Sequence, residues 1–180
     1  MILDWRSELN REGSRITLSG LHIAMHCHHY NINLQKMLED HLGEKGIELM
    51  VQAAENACFT GFQSLLGQLD RLRTVKSKLE LFSTLYQNCG LGIIHFEKVG
   101  PKGGRIVSLS SHHVTGWLAK HGRRETPGCH FVRGWIAGVL EVIYERPLGY
   151  YRVEEQSCKM VGDPQCHFKI SEGAHAYRRN

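Results

Sequence analysis

Hydrophobic residues in the first half of this 180-residue chain recur every three or four positions, which is the period of an amphipathic α-helix. The pattern predicts three helices, over residues 34–42, 47–69 and 75–86. Gly43 and Gly90 follow the first and the third, and glycine is a common residue at a helix C-terminus. Cys58 lies on the apolar stripe of the second helix, so we expect it to be a core residue.

Extended segments are predicted on both sides of these helices. Residues 15–19 and 21–27 are typical of strands, and the second leads into a polar, histidine-rich stretch. Residues 91–99 and 105–110 are rich in β-branched and aromatic residues and flank the turn 101–104. This arrangement predicts a β-hairpin in the middle of the chain.

A mostly apolar helix is predicted from Cys129 onward, with Thr126 as its N-cap and Pro127 in its first turn. Gly134 and Gly138 lie four residues apart within it. Because glycine destabilises a helix interior, we infer that another helix or a ligand approaches the backbone closely there.

The chain ends in a second predicted hairpin, in which residues 150–158 and 166–170 flank a turn that contains Gly162-Asp-Pro. Neither internal repeats nor linkers interrupt the pattern. We therefore predict one α+β domain over residues 1–170, with helices packed on an antiparallel sheet, and a short polar tail over residues 171–180.

Composition favours a cytoplasmic globular protein. Apolar residues make up 42% of the chain, charged residues 22%, and no apolar run reaches the ~20 residues that span a bilayer. The first residues lack the basic and apolar regions of a secretory signal. The net charge of +4 comes without a dense basic run, so we expect neither nucleic acid nor a membrane as partner.

Twelve histidines and six cysteines supply many ligands for a metal ion. Cys158 and Cys166 stand at the mouth of the terminal turn, where opposed residues hold their Cβ atoms about 4.5–5.5 Å apart. Two thiolates at that separation can share a zinc ion, which usually takes four ligands. Cys129 and a carboxylate from Glu154 or Glu155 are the further candidates, and strand alternation alone favours Glu154.

The residues around these cysteines resemble the signature of the 4-vinyl reductase domain family over residues 125–171. The matching pattern is Cys129-x-Phe-x-x-Gly134-x-x-x-Gly138, followed by Glu155-x-x-Cys158-x-x-x-Gly162-Asp-Pro-x-Cys166-x-Phe168. That family includes proteins named for bacteriochlorophyll synthesis, the sensory domains of phenol- and xylene-responsive transcription activators, and archaeal proteins labelled hydrocarbon-binding. It is related to transport-particle subunits, so the resemblance implies the ligand-binding fold of the NO-signalling and Golgi-transport type.

The resemblance further implies a zinc ion held by Cys129, Glu155, Cys158 and Cys166. Four protein ligands leave no coordination position for water chemistry, so the role of this zinc would be structural. Because Glu155 lies three residues before Cys158, the family spacing requires a β-bulge or a strand end between them. The resemblance also implies a homodimer with an enclosed apolar ligand pocket.

Histidines are concentrated before the first helix. Extended geometry would place His22, His26 and His28 on one face, where His112 and His113 could complete a second metal centre. Zinc, iron or copper would suit such a site, and heme ligated by one histidine is a further interpretation. Alternatively, these imidazoles line a polar pocket or an interface, or lie in solvent. The family pattern does not include this cluster.

The first functional hypothesis is a sensory domain that binds an apolar or aromatic small molecule and passes the signal to a separate regulatory protein. The aromatic residues expected to line its pocket, each of which is alternatively a core residue, are Phe62, Phe82, Trp117, Phe131 and Trp135.

The second hypothesis is an enzyme or gas sensor that uses a metal or heme in the stretch His22–His29, or a reductase of a tetrapyrrole vinyl group. No strand is followed by a Gly-x-Gly-x-x-Gly motif, so a reductase would lack a visible nicotinamide or flavin site. The sequence therefore favours binding over catalysis. A third hypothesis is an assembly protein whose dimer surface is its function.

Overall fold

The computed structural model describes residues 9–18, 20–24, 26–67, 69 and 72–173. In chain order the described elements are β1 (Leu9–Glu12), β2 (Arg15–Leu18), β3 (Leu21–Ile23), α1 (His28–Leu42), α2 (Glu44–Gly67), α3 (Val75–Asn88), β4 (Gly92–Gly100), β5 (Gly103–Ser111), α4 (His112–His121), α5 (His130–Ile143), β6 (Tyr151–Ser157) and β7 (Cys166–Glu172). The predicted α+β class is confirmed. Within the described ranges, no helix combines the length and the apolar character that crossing a bilayer requires.

The strands form two antiparallel sheets within the described residues. The smaller sheet has the order β1-β2-β3, and the larger has the order β4-β5-β7-β6. Both predicted hairpins are therefore confirmed, and the pairing of β5 with β7 joins them into one sheet. Strand β7 extends to Glu172, two residues into the predicted polar tail, and residues 174–180 of that tail lie outside the described residues.

Helix α5 packs closely against α2 through its two glycines. A Cβ atom at Gly138 would lie 2.7 Å from the carbonyl oxygen of Glu55, and one at Gly134 would collide with the carbonyl oxygen of Val51. The close approach inferred from these glycines is confirmed, and the neighbour is a helix. Cys58 is buried on the same side of α2, as predicted.

The start of α1 differs from the sequence prediction. The helix begins at His28, with Cys27 as its N-cap, so the extended geometry expected for His22, His26 and His28 is wrong. His22 alone of the three lies in a strand. The helix extends this far because Ile32, which is fully buried, packs on α4. This tertiary contact outweighs the local strand preference.

The start of α5 also differs from the prediction. The helix begins at His130 with Cys129 as its N-cap, and Thr126 and Pro127 lie in the preceding loop. The backbone N–H of Cys129 donates to the carboxylate of Glu155 at 2.8 Å. A contact with a distant residue therefore satisfies an N-terminal N–H that a Thr N-cap was expected to serve.

Helix α4 has no counterpart among the predicted helices. Its apolar positions, Val114, Trp117 and Leu118, span little more than one helical turn, which is too short a pattern to recognise. Gly122 ends the helix with a φ of 69°. The helix places two successive histidines in its first turn, directly after the end of β5.

Candidate metal centre and ligand cavity

Three cysteines and one glutamate converge where α5 begins and the β6–β7 hairpin turns. The donor atoms of Cys129, Glu155, Cys158 and Cys166 all lie within 4.8 Å of one another. The Sγ atom of Cys129 is 3.9 Å from that of Cys158 and 3.8 Å from that of Cys166. Tetrahedral zinc with Zn–S bonds of about 2.3 Å requires sulfur atoms about 3.8 Å apart. The four residues therefore fit one tetrahedral ion.

A β-bulge brings the glutamate to the cysteines. The register of β6 against β7 shifts after Glu155, which leaves Gln156 as an extra residue. Because the extra residue reverses the alternation of faces, Glu155 and Cys158 reach the same site. Glu154 instead forms an exposed ion pair with Arg152 at 2.8 Å. The structure thus contains the bulge that the family spacing requires, and it places Glu155 rather than Glu154 in the group.

Backbone N–H groups of the hairpin turn contact two of the sulfur atoms. The N–H of Lys159 donates to Sγ of Cys166 at 3.3 Å, and the N–H of Met160 donates to Sγ of Cys158 at 3.4 Å. Such bonds stabilise thiolates, which are the form in which cysteine binds metals. The carboxylate of Asp163 accepts the N–H of Cys158 at 2.7 Å and so holds the turn. Sequence reasoning assigned Asp163 no role, although its Gly-Asp-Pro turn was the available signal.

The electrostatics of the group favour a cation. Burial, together with negative charge on Cys158, raises the pKa of Glu155 to about 8. One of its oxygens, Oε1, is buried and has no hydrogen-bond partner among the residues that the structure describes. Hydrogen bonds from Cys129 and Cys166 lower the pKa of Cys158. A buried carboxylate oxygen next to a thiolate is costly unless a cation or a proton satisfies it.

Glu39 of α1 connects this centre to the helices. Its carboxylate accepts hydrogen bonds from Arg124 at 3.1 Å and from Gln35 at 2.8 Å, and Nε2 of His130 lies 3.0 Å away. Burial alone would raise the pKa of Glu39, but these hydrogen bonds outweigh it and lower the pKa to about 2. Because His130 directly follows Cys129, the contacts fix α1 against the loop that carries a candidate metal ligand. No motif in the sequence marks Glu39.

A cavity of about 540 Å³, here called the α1–α2 cavity, lies between these two helices. Its wall consists of Asn31, Leu34, Gln35, Leu38, Leu49, Met50, Ala53, Ala54, Ala57, Leu91, His113 and Phe131. The His113 ring stacks on Phe131 with centroids 4.8 Å apart. Burial lowers the pKa of His113 to about 4, so its imidazole is neutral near pH 7. Its Nε2 atom is buried and has no hydrogen-bond partner within the described part of the chain.

Of the five aromatic residues expected to line a pocket, Phe131 lines the α1–α2 cavity. Phe62 packs against Phe82 with ring centroids 4.6 Å apart and against Trp135 at 5.8 Å, so these three form an aromatic core. Trp117 is buried beneath the guanidinium of Arg124. That these four residues line a ligand pocket stays a prediction.

The structure divides the predicted histidine cluster. His22 is exposed in β3, whereas His28 and His112 lie at the starts of α1 and α4 with ring centroids 6.2 Å apart. His113 belongs to the α1–α2 cavity, and His26 lies in a neighbouring cavity wall. Among the described residues, the cysteine group is the one set of three or more metal-ligating side chains whose donor atoms lie within 4.8 Å of one another.

Comparison with known proteins supports the resemblance read from the sequence. Residues 117–172 match the 4-vinyl reductase domain, which confirms that resemblance. No curated protein matches the chain. The solved structure of the phenol-responsive sensory domain of the transcription activator PoxR with phenol is 16% identical, with a TM-score of 0.78, and the match covers 94% of this chain and 87% of that chain.

A second solved structure, of a vinyl-4-reductase family protein from Methanocaldococcus jannaschii, is 19% identical with a TM-score of 0.48, and the match covers 69% of this chain and 68% of that chain. The likeness to the PoxR domain shows that this chain has the same fold. The arrangement of helices on an antiparallel sheet that the sequence predicts is therefore found in a solved protein as well.

Proposed function

We propose that this chain is a sensory domain whose α1–α2 cavity binds an aromatic molecule that carries one hydroxyl group. The observation that supports this proposal most strongly is the neutral imidazole of His113 in a largely apolar wall. A buried polar atom without a partner costs about 1–3 kcal/mol, which a ligand hydroxyl would recover. Cavities of about 300–1,000 Å³ with a few polar groups are typical of small-molecule sites.

The fold shared with the PoxR domain supports the choice of ligand class, because that domain is described as phenol-responsive. In this chain, the stacking of His113 on Phe131 would hold the imidazole in one orientation. The apolar side chains of the wall would contact the ring of the ligand, and the imidazole nitrogen would bond its hydroxyl group. This arrangement selects for a ring with a single polar substituent.

Zinc is the cofactor that the proposal includes, held by Cys129, Glu155, Cys158 and Cys166. The sulfur separations of 3.8 and 3.9 Å and the unpartnered Oε1 of Glu155 support this assignment. When bound, zinc would supply a structural crosslink, because a closed four-ligand site has no exchangeable position. The crosslink would join the start of α5 to the terminal hairpin and so position Phe131 in the cavity wall.

A ligand signal has a physical route from the cavity to the metal centre. Gln35 lines the cavity and donates to Glu39, which in turn contacts His130 beside Cys129. We propose that a separate regulatory protein responds to movement along this route. A homodimer remains the assembly that the family resemblance predicts.

Isothermal titration with phenol and toluene, which have nearly the same size, tests the ligand class. We expect phenol to bind at least about tenfold more tightly, because one added hydrogen bond contributes about 1.4 kcal/mol. His113→Phe preserves the ring and its stacking but removes the nitrogen, so the two ligands should then bind equally. His95→Phe, at an exposed position on β4, is the matched control and should retain the preference for phenol.

Equal binding of phenol and toluene to the unaltered chain, or binding of neither, would overturn the proposal. Retention of the phenol preference in the His113→Phe variant would do the same. A second variant tests the cavity itself: Ala57→Leu adds bulk at an exposed position in its wall and should weaken both ligands. Thr60→Leu, exposed on the same helix but outside the cavity wall, should leave both affinities unchanged.

A further inference from the structure

The starts of α1 and α4 bring imidazoles together from positions 84 residues apart in the chain. The rings of His28 and His112 have centroids 6.2 Å apart, and the ring of His29 lies 4.2 Å from that of His28. None of these three histidines is a candidate ligand of the cysteine centre or lines the α1–α2 cavity.

The two helices are held in a fixed relation at this point. Gly116 lies one helical turn after His112, and a Cβ atom there would be 2.8 Å from Cγ1 of Ile32 and 3.0 Å from Cβ of His28. Since the glycine permits this close approach, the side chain of His28 lies directly against α4. Ile32 is fully buried in the same contact, which stabilises it by the removal of apolar surface from water.

The imidazole of His112 is directed toward the same face of α1 that carries His28. Its Nε2 atom lies 3.2 Å from Nδ2 of Asn31, and Asn31 is three residues after His28 on the helix. His28 and Asn31 are therefore neighbours on one helix face. The nitrogen of His112 and the ring of His28 meet over that face.

We propose that His28 and His112, with His29 as a third imidazole, bind a divalent ion of the borderline class, such as zinc, cobalt or nickel. Two imidazoles that share such an ion with metal–nitrogen bonds of about 2.0–2.1 Å have ring centroids about 5–6 Å apart. A rotation of either side chain closes the present separation to this range. Ligand binding would replace the Asn31 contact at His112.

The charge environment also favours a metal over protons. Burial and the nearby His28 lower the pKa of His112, and the nearby His28 and Lys120 lower that of His29. The two imidazoles are therefore neutral near pH 7, which leaves their nitrogen lone pairs available to a metal. Histidine is the ligand type that suits zinc, nickel and copper.

Three imidazoles leave at least one coordination position open, in contrast to the closed cysteine centre. His112 and Asn31 also line a second cavity, of about 670 Å³, together with His26 and Phe131. An ion at His28 and His112 would lie at the edge of this cavity. Its open position would therefore accept an oxygen or nitrogen donor of a small molecule.

Titration of the full-length, zinc-loaded chain with cobalt(II) tests the proposal. We expect one added equivalent per chain with weak d–d absorption and without the intense sulfur-to-cobalt charge-transfer band that a thiolate site would produce. The variant His28→Gln/His112→Gln, which retains side-chain volume and polarity, should lose this equivalent while its thermal unfolding remains close to that of the unaltered chain. His41→Gln/His95→Gln, which replaces two exposed histidines elsewhere, is the matched control and should retain it.

The absence of a sulfur-free equivalent in the unaltered chain would overturn the proposal. Undiminished uptake by the His28→Gln/His112→Gln variant would also overturn it, because the ion would then be bound elsewhere. Cobalt that replaces zinc at the cysteines is recognised by its charge-transfer band and is not counted. The result is independent of phenol binding, so it does not depend on the proposed sensory function.

Discussion

Glu155 is the residue on which the candidate zinc centre depends most, because it is the one oxygen ligand among three sulfurs. Its Oε2 atom accepts the N–H that begins α5, while its Oε1 atom is buried without a partner among the described residues. One carboxylate thus serves the helix start and the metal at once. Glu154, its neighbour, forms an exposed ion pair instead.

We therefore predict opposite outcomes for two adjacent substitutions. Glu155→Gln should lower zinc affinity at least about tenfold, since even the loss of a partner that supports a ligand costs about 10–100-fold. Glu154→Gln should leave the affinity unchanged. Competition with a chelator, followed by elemental analysis, measures both. Equal zinc retention in the two variants would rule out Glu155 as a ligand.

A buried carboxyl pair lies at the contact between α2 and α5. Glu55 and Glu141 are 1% and 0% exposed, and Glu141 accepts the N–H of Tyr150 at 2.8 Å. Burial, followed by repulsion from Glu55 and a hydrogen bond with it, raises the pKa of Glu141 well above its ordinary value. The folded protein therefore retains a proton on this pair at pH values where the unfolded chain has lost it.

This pair predicts that stability falls as the pH rises. A raised pKa in the folded state means that its contribution is fully present below the unfolded pKa of about 4.3 and is lost as the pH rises toward the folded pKa. Between pH 5.5 and 8.5 the free energy of unfolding should fall by up to about 4 kcal/mol from this source.

Glu141→Gln retains the hydrogen bonds of Glu141 but cannot ionise, so it should show a weaker pH dependence in urea unfolding than the unaltered chain. Glu145→Gln, exposed just beyond the same helix, is the control and should show the full dependence. An identical pH dependence in the Glu141→Gln variant and the unaltered chain would mean that the pair does not hold a proton.

At the scale of elements, the contact between α2 and α5 depends on two positions without side chains. Gly138→Ala would place a Cβ atom 2.7 Å from the carbonyl oxygen of Glu55 and 2.9 Å from the backbone nitrogen of Phe59. Because both are backbone atoms, the helices must move apart.

We predict that Gly138→Ala lowers the free energy of unfolding by about 1–3 kcal/mol, the usual cost of overpacking. Gly61→Ala, inside α2, would meet one side-chain atom at 3.9 Å and should instead raise stability by about 0.5–1 kcal/mol through helix propensity. Urea unfolding of the two variants measures both values. A stabilising effect of Gly138→Ala would contradict the observed helix contact.

The interiors of the elements were predictable from the sequence, but two of their starts were not. Helices α2 and α3 and both hairpins follow from the apolar periods and turn residues alone. The start of α1 depends on the packing of Ile32 against Gly116, and the start of α5 on a hydrogen bond between Cys129 and Glu155. Both contacts join residues that are distant in sequence, so no local pattern reveals them.

At the scale of the whole molecule, the two candidate sites differed in how far the sequence could predict them. The cysteine centre was predictable because its residues form a recognisable motif, although the bulge at Gln156 depends on strand pairing. The α1–α2 cavity was not, because it requires His113 and Phe131 to be brought against α1 by a helix too short to recognise. Of the aromatic residues expected in a pocket, three pack together in the core instead.

The candidate metal centre, the Glu39 contacts and the α1–α2 cavity are physically continuous. Gln35 belongs to the cavity and to the Glu39 contacts, and His130 belongs to those contacts and adjoins Cys129. Loss of zinc should therefore disturb the cavity as well as the hairpin. The central claim, however, is that the cavity binds a hydroxylated aromatic ring.

A crystal structure of the chain with 4-bromophenol tests that claim most directly, because bromine is located by its anomalous scattering. We predict a bromine peak inside the α1–α2 cavity and a phenol oxygen about 3 Å from Nε2 of His113. A bromine peak outside this cavity, or a phenol oxygen that does not contact His113, would contradict the claim.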